Sequence, residues 1–201
     1  ATIGDIYMTI KIFLASSIVE LHDERIAIGD LFGRLDEAYF DKCGIRFELE
    51  KCEDYDDSIR TEGAQAQYDT DISNSDIVVF LFAKSVGEYT KHELEVAMES
   101  LKEKGSPKIY IFFKLDSSGV IAGEAESFSK ELSDSQMSYS SFESMLELKI
   151  HIFNITVNYL KTRGKEEPYI YLRNGKLYVD GNIIIIDLRK ASSEELKLLD
   201  L

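Results

Sequence analysis

The sequence predicts an α/β protein, a parallel sheet flanked by helices, and three observations predict it. Apolar, β-branched runs recur at Met8 to Ser16 (MTIKIFLAS), Asp76 to Ala83 (DIVVFLFA) and Lys108 to Lys114 (KIYIFFK). Between the runs the apolar residues change to helical spacing. The alternation of strand and helix supplies the crossover connections that parallel strands require.

Taken in order, Met8 to Ser16 is a largely apolar strand. From Val19 the period becomes helical, with Leu21, Ile28, Leu31, Leu35 and Tyr39 on one face through about Lys42, and Gly44 is a helix stop. Ile45 to Cys52 (IRFELEKC) alternates apolar and charged residues, as a strand towards a sheet edge does. Glu53 to Ser58 (EDYDDS) is an acidic, turn-rich loop, and Arg60 to Ser73 is a helix weakened by Gly63. Asp76 to Ala83 is the most strand-like run of the chain, and a helix follows over Thr90 to Glu103. Gly105-Ser106-Pro107 breaks the pattern before the strand at Lys108. Right-handed crossovers make this β-α-β-α-β-α-β order flavodoxin-like in general form over residues 8 to about 115.

Asp116 to Tyr139 is serine-rich and acidic, with one helix at Gly123 to Leu132. Phe142 to Lys161 is a long helix with Met145, Leu148, Ile152, Ile155 and Tyr159 at its apolar positions. After Gly164 and Pro168 the pattern becomes a hairpin, Tyr169 to Leu172 and Leu177 to Val179 flanking the turn pair Asn174-Gly175. Asp180-Gly181 marks another turn before Asn182 to Asp187, and the ending SSEELKLLDL has a serine cap followed by acidic residues, like a helix starting. The expected organisation is an α/β domain over 8–163 and a β-hairpin extension, or a linker into a further carboxyl-terminal domain, over 164–201. The chain therefore reads as the amino-terminal piece of a longer protein.

Composition narrows the function. The 201 residues carry a formal net charge of −14, against a phosphate-backbone partner and against anionic membrane surfaces. A small phosphorylated ligand stays open, because backbone amides bind it locally whatever the net charge. Cys43 and Cys52 are the two cysteines, and with His22, His92 and His151 scattered no metal-ligand spacing appears. With no signal-peptide pattern and no apolar run of roughly 18 residues, the chain reads as cytoplasmic.

The candidate chemistry lies at one sheet edge. Ligands of open α/β sheets sit beyond the carboxyl ends of the strands. Ser16 and Ser17 follow the first strand, Cys52 and the acidic loop the second, and Ala83 to Glu93 the third. Each has a structural alternative. The two serines suit a ribose or phosphate, or cap a helix. Glu24-Arg25 orients this edge or forms a solvated ion pair. Thr90-x-x-Glu93 has capping-box spacing, so Glu93 either satisfies a backbone amide or does chemistry.

The stretches IKIFLASSIVELHDER at 10–25, Gln65/Gln67 to Asp76, and SDIVVFLFAKSVGEYTKHELEVA at 75–97 resemble the TIR-like superfamily, in particular bacterial TIR-like modules at the amino termini of multidomain proteins. The resemblance spans roughly residues 8 to 115 and implies a five-stranded parallel sheet. Many enzymatic members cleave NAD⁺ with a glutamate on the helix after a central strand. In the E-x-x-x-A pattern that residue is Glu93, with Ala97 following. Residues 75–97 also resemble nucleoside deoxyribosyltransferases, whose helix opens Gly-Thr-x-x-Glu; here Glu88-Tyr89 separates Gly87 from Thr90 and breaks that match. Both families set a glutamate against the anomeric carbon of an N-glycoside.

The resemblance thus implies NAD⁺ as substrate rather than cofactor and a bacterial defence setting. It implies Glu93 as the catalytic group; Ser16, Ser17, Phe82, Ala83, Tyr89 and Thr90, at the same sheet edge, are the candidate walls and anchors. Self-association that completes the pocket is the implied activation step. A non-catalytic TIR-like interaction module is the rival expectation, its acidic surface suiting a basic partner.

Overall fold

The computed structural model describes residues 7–51, 62–163, 169–179 and 183–200. It is an α/β fold built on a parallel sheet, as the sequence predicts. The elements are β1 (Met8–Ser16), α1 (His22–Cys43), β2 (Ile45–Lys51), α2 (Glu62–Ser73), β3 (Ile77–Phe82), α3 (Glu88–Lys104), β4 (Lys108–Lys114), α4 (Glu124–Asp134), β5 (Ser140–Phe142), α5 (Met145–Thr162), β6 (Ile170–Arg173), β7 (Lys176–Val179), β8 (Ile184–Asp187) and α6 (Ser193–Lys197). The five-stranded sheet has the order β2-β1-β3-β4-β5, a flavodoxin-like arrangement flanked by helices. Cys52, the acidic loop Glu53 to Ser58, Gly164, Pro168 and the turn Asp180-Gly181 lie outside the described residues. Among the described residues no helix is long and apolar enough to cross a membrane.

The described residues divide into two compact units, one within the ranges 10–25 and 49–143, the other within 1–9, 26–48 and 144–201. In the first, β3 is buried along its whole length, and its register places Val78, Phe80 and Phe82 beside Ile109, Ile111 and Phe113 of β4. Those side chains share a face, because successive residues of a strand point to opposite sides. Leu94 and Ala97 of α3 and Ala125, Phe128 and Leu132 of α4 join them in one apolar cluster. Phe82 stacks on Phe113 with centroids 5.3 Å apart and meets the edge of Phe128 at 5.1 Å. β5 is three residues long and pairs with β4 through Phe112 and Ser140 to Lys114 and Phe142.

In the second unit, β6-β7-β8 forms an antiparallel sheet. Asn174 and Gly175 both have positive φ, 52° and 69°, the geometry of the two-residue turn their sequence signals. α6 begins with a complete capping box between Ser192 and Glu195. Glu195 reaches further: its carboxylate also accepts from the hydroxyl of Ser144, the N-cap of α5, while Asn154 Nδ2 donates to Leu198 O at 2.6 Å.

The Ser144 hydroxyl first, and then the Ser192 backbone amide, hold the Glu195 carboxyl below its ordinary value. A depressed acid stabilises the fold above its unfolded pKa and loses that contribution as pH falls through the folded one. The α6 clip is therefore expected to be intact above about pH 4.3, the ordinary glutamate value, and to loosen below it. Ser144→Ala should raise the Glu195 pKa towards the ordinary range, read from its carboxyl resonance in an NMR titration. An unchanged titration would separate Glu195 from Ser144.

Candidate active site

Beyond the carboxyl ends of β3 and β4 lies a cavity of about 620 Å³, lined by Glu20, Ala83, Lys84 and the segment Lys114 to Ser117. Open α/β sheets place ligands here, and small-molecule pockets run to roughly 300–1,000 Å³. The β3–α3 loop forms one wall, and carboxylates hold it. One oxygen of Glu20, Oε2, accepts from the backbone amides of Lys84 at 3.2 Å and Ser85 at 3.1 Å. The next amide, Val86, donates to Glu124 at 3.1 Å. From α4, the Ala125 amide donates to Lys84 O at 3.2 Å, and Gly123 at φ +68° permits that approach.

The floor of the edge is a buried polar network. Arg25, 6% exposed, donates from Nη1 to Ser16 Oγ at 2.8 Å and to Ser16 O at 3.3 Å. Glu24, 4% exposed, pairs with Lys114 at the end of β4. Glu24-Arg25 is thus neither solvated nor paired with itself, since adjacent helical residues point apart. Removing the Lys114 ammonium leaves Glu24 buried without its cation. Lys114→Met should lower stability by about 1–3 kcal/mol, less than for a fully buried pair because Lys114 is partly wet. Chemical denaturation reads this as a shifted midpoint, and an unmoved midpoint would make the pair energetically idle.

Glu93 stands on α3 and is buried, 2% exposed, with Leu94, Ala97 and Ser100 as the other buried residues of the helix. Its carboxylate does not line the cavity. The capping-box alternative is corrected by where the helix starts. The N-cap of α3 is Gly87, in extended geometry and without a side-chain cap, and the helix opens at Glu88 rather than Thr90. Thr90 is then the third helical residue and Glu93 lies beyond the first turn, out of reach of the amides that a capping box satisfies.

No family model matches the chain, and no curated protein matches it either.

Of the other residues singled out from sequence, Ala83 lines the cavity. Ser16 is buried under Arg25, and Ser17 Oγ accepts from the Glu20 amide at 3.3 Å, so the pair shapes the turn after β1 instead of capping α1. Phe82 faces the apolar cluster and is no cavity wall. Tyr89 is 47% exposed on the first turn of α3, and Thr90 is half-buried beside it. Sequence reasoning passed over Glu20, Lys84, Lys114 and Asp116. One signal was available: Lys114 ends β4 and Lys84 follows the end of β3 by two residues, so both stand at the edge.

Proposed function

We propose that the chain is a TIR-type NAD⁺ glycohydrolase that cleaves the bond between nicotinamide and ribose, with Glu93 as its catalytic group. The observation that carries this reading is a glutamate held 2% exposed on the helix after the central strand, beyond the positions that cap the helix. Burying a carboxylate is costly, and a buried carboxylate on the helix that follows the central strand is a candidate for chemistry. The flavodoxin-like sheet and its edge cavity support a nucleotide as the ligand.

In the proposed reaction the C–N bond breaks and its electron pair stays with nicotinamide, neutralising the pyridinium. The leaving group is already good, so no strong general acid is required. Positive charge develops on the ribose as an oxocarbenium ion, as in glycoside hydrolysis. An ionised Glu93 stabilises it where water is scarce. Water adds to the anomeric carbon and yields ADP-ribose and a proton; attack by an adenine nitrogen would yield a cyclic product instead. Closure of Glu93 from solvent fits a resting enzyme whose pocket is completed by self-association.

Nicotinamide release from NAD⁺ by the purified chain at high concentration tests the reading, beside Glu93→Gln. Release by wild type that disappears in a folded Glu93→Gln is the expected result. Release that survives the substitution would discard Glu93, and its absence from both would leave an interaction module or an enzyme that lacks its activating domain.

A further inference from the structure

We propose that the β3–α3 loop is a receptor for a diphosphate, and that Glu20 occupies it as an internal stand-in that the ligand displaces. The proposal deepens the nucleotide reading above and rests on it for the ligand's identity. Two consecutive amides, Lys84 and Ser85, converge on a single oxygen of Glu20, at 3.2 and 3.1 Å. Consecutive amides aimed at one point make a concave anion site of the kind that takes phosphate oxygens. The carboxylate that fills it comes from a segment 64 residues away in sequence.

Three features make Glu20 a displaceable occupant. It is exposed, on the turn between β1 and α1, where its neighbour Val19 is 86% exposed, so withdrawing it uncovers no core. The contact lines a cavity of about 620 Å³, with room for the rest of a nucleotide. The cations are in place as well. Lys84 projects from the same loop, and among the described residues its ammonium has no ion-pair partner. Lys114 also lines the cavity, tied to Glu24. The other carboxylate of the cavity, Asp116, is committed to the amides of Ser118 and Val120 at 2.8 and 3.2 Å. A diphosphate entering here exchanges one carboxylate for phosphate oxygens on the same amides and gains Lys84. Glu124 keeps Val86 fixed meanwhile, so the receptor stays shaped when Glu20 leaves.

Calorimetric titration with inorganic pyrophosphate, in phosphate-free buffer, tests this on the whole chain. If docked Glu20 competes with the ligand, the apparent affinity is reduced by the undocked fraction. Glu20→Gln keeps the shape and removes the charge, and should bind pyrophosphate roughly tenfold more tightly than wild type. Independently of any variant, pyrophosphate should move the Lys84 and Ser85 amide resonances of the wild-type chain. Equal affinity of Glu20→Gln and wild type, or resonance changes only elsewhere, would overturn the proposal. ADP should displace pyrophosphate; failure to compete would overturn the nucleotide assignment. A chain that binds pyrophosphate but never releases nicotinamide would sink the glycohydrolase reading and leave the receptor standing.

Discussion

Glu93→Gln is expected to lower nicotinamide release by at least about 100-fold while leaving the unfolding midpoint nearly unchanged, within about 1 kcal/mol. The two halves of that result come from different physics. Glutamine has the volume and hydrogen-bonding reach of glutamate, so a side chain buried beside Leu94 and Ala97 keeps its packing. What disappears is the negative charge, worth most where water is excluded and where positive charge appears only in the transition state. A purely structural Glu93 would move the two readouts the other way, with stability falling and no turnover to lose. Thermal unfolding beside the nicotinamide assay therefore separates the roles in one pair of samples. A parallel fall in both would point to loss of fold, and Glu93→Asp would then show whether the charge alone restores release.

Strands long enough to show a pattern were legible in the sequence. β1 and β4 begin and end at the residues their apolar runs predict, and β3 does so within one residue at each end. β5 was not legible as a strand, because Ser140-Ser141-Phe142 is too short to show alternation and is made a strand by pairing with β4. The start of α3 was misplaced for a local reason. Thr90-x-x-Glu93 matches a capping pattern, but Gly87, extended at φ −67° and ψ 140°, ends the loop first. The edge itself was half legible. Topology put the right strand ends together, yet the contacts that shape the cavity join Glu20 to Lys84 and Glu24 to Lys114, 64 and 90 residues apart. No spacing rule operates over such distances. They appear only when parallel pairing brings the strand ends side by side.

Gly123→Ala is expected to cost about 2–5 kcal/mol and to lower the melting temperature by roughly 5–15 °C. Gly123 adopts φ +68° and ψ −145°, a region that only glycine occupies comfortably. An added Cβ would also lie 2.6 Å from the carbonyl oxygen of Lys84 and 3.3 Å from its carbonyl carbon. Those are backbone atoms, so no rotamer change relieves the clash; either α4 retreats or the β3–α3 loop moves. Retreat breaks the bond from the Ala125 amide to Lys84 O, and movement of the loop turns the Lys84 and Ser85 amides away from their shared acceptor. The substitution should therefore weaken pyrophosphate binding along with stability, although residue 123 touches no ligand. Gly33 supplies the contrast. It sits inside α1, where an added Cβ would meet nothing within 4 Å, and Gly33→Ala should stabilise the chain by about 0.5–1 kcal/mol. Opposite signs for the same chemical change would locate the constraint in the packing of Gly123 against the loop; a small effect at both positions would mean that the loop yields freely and is too soft to hold an anion.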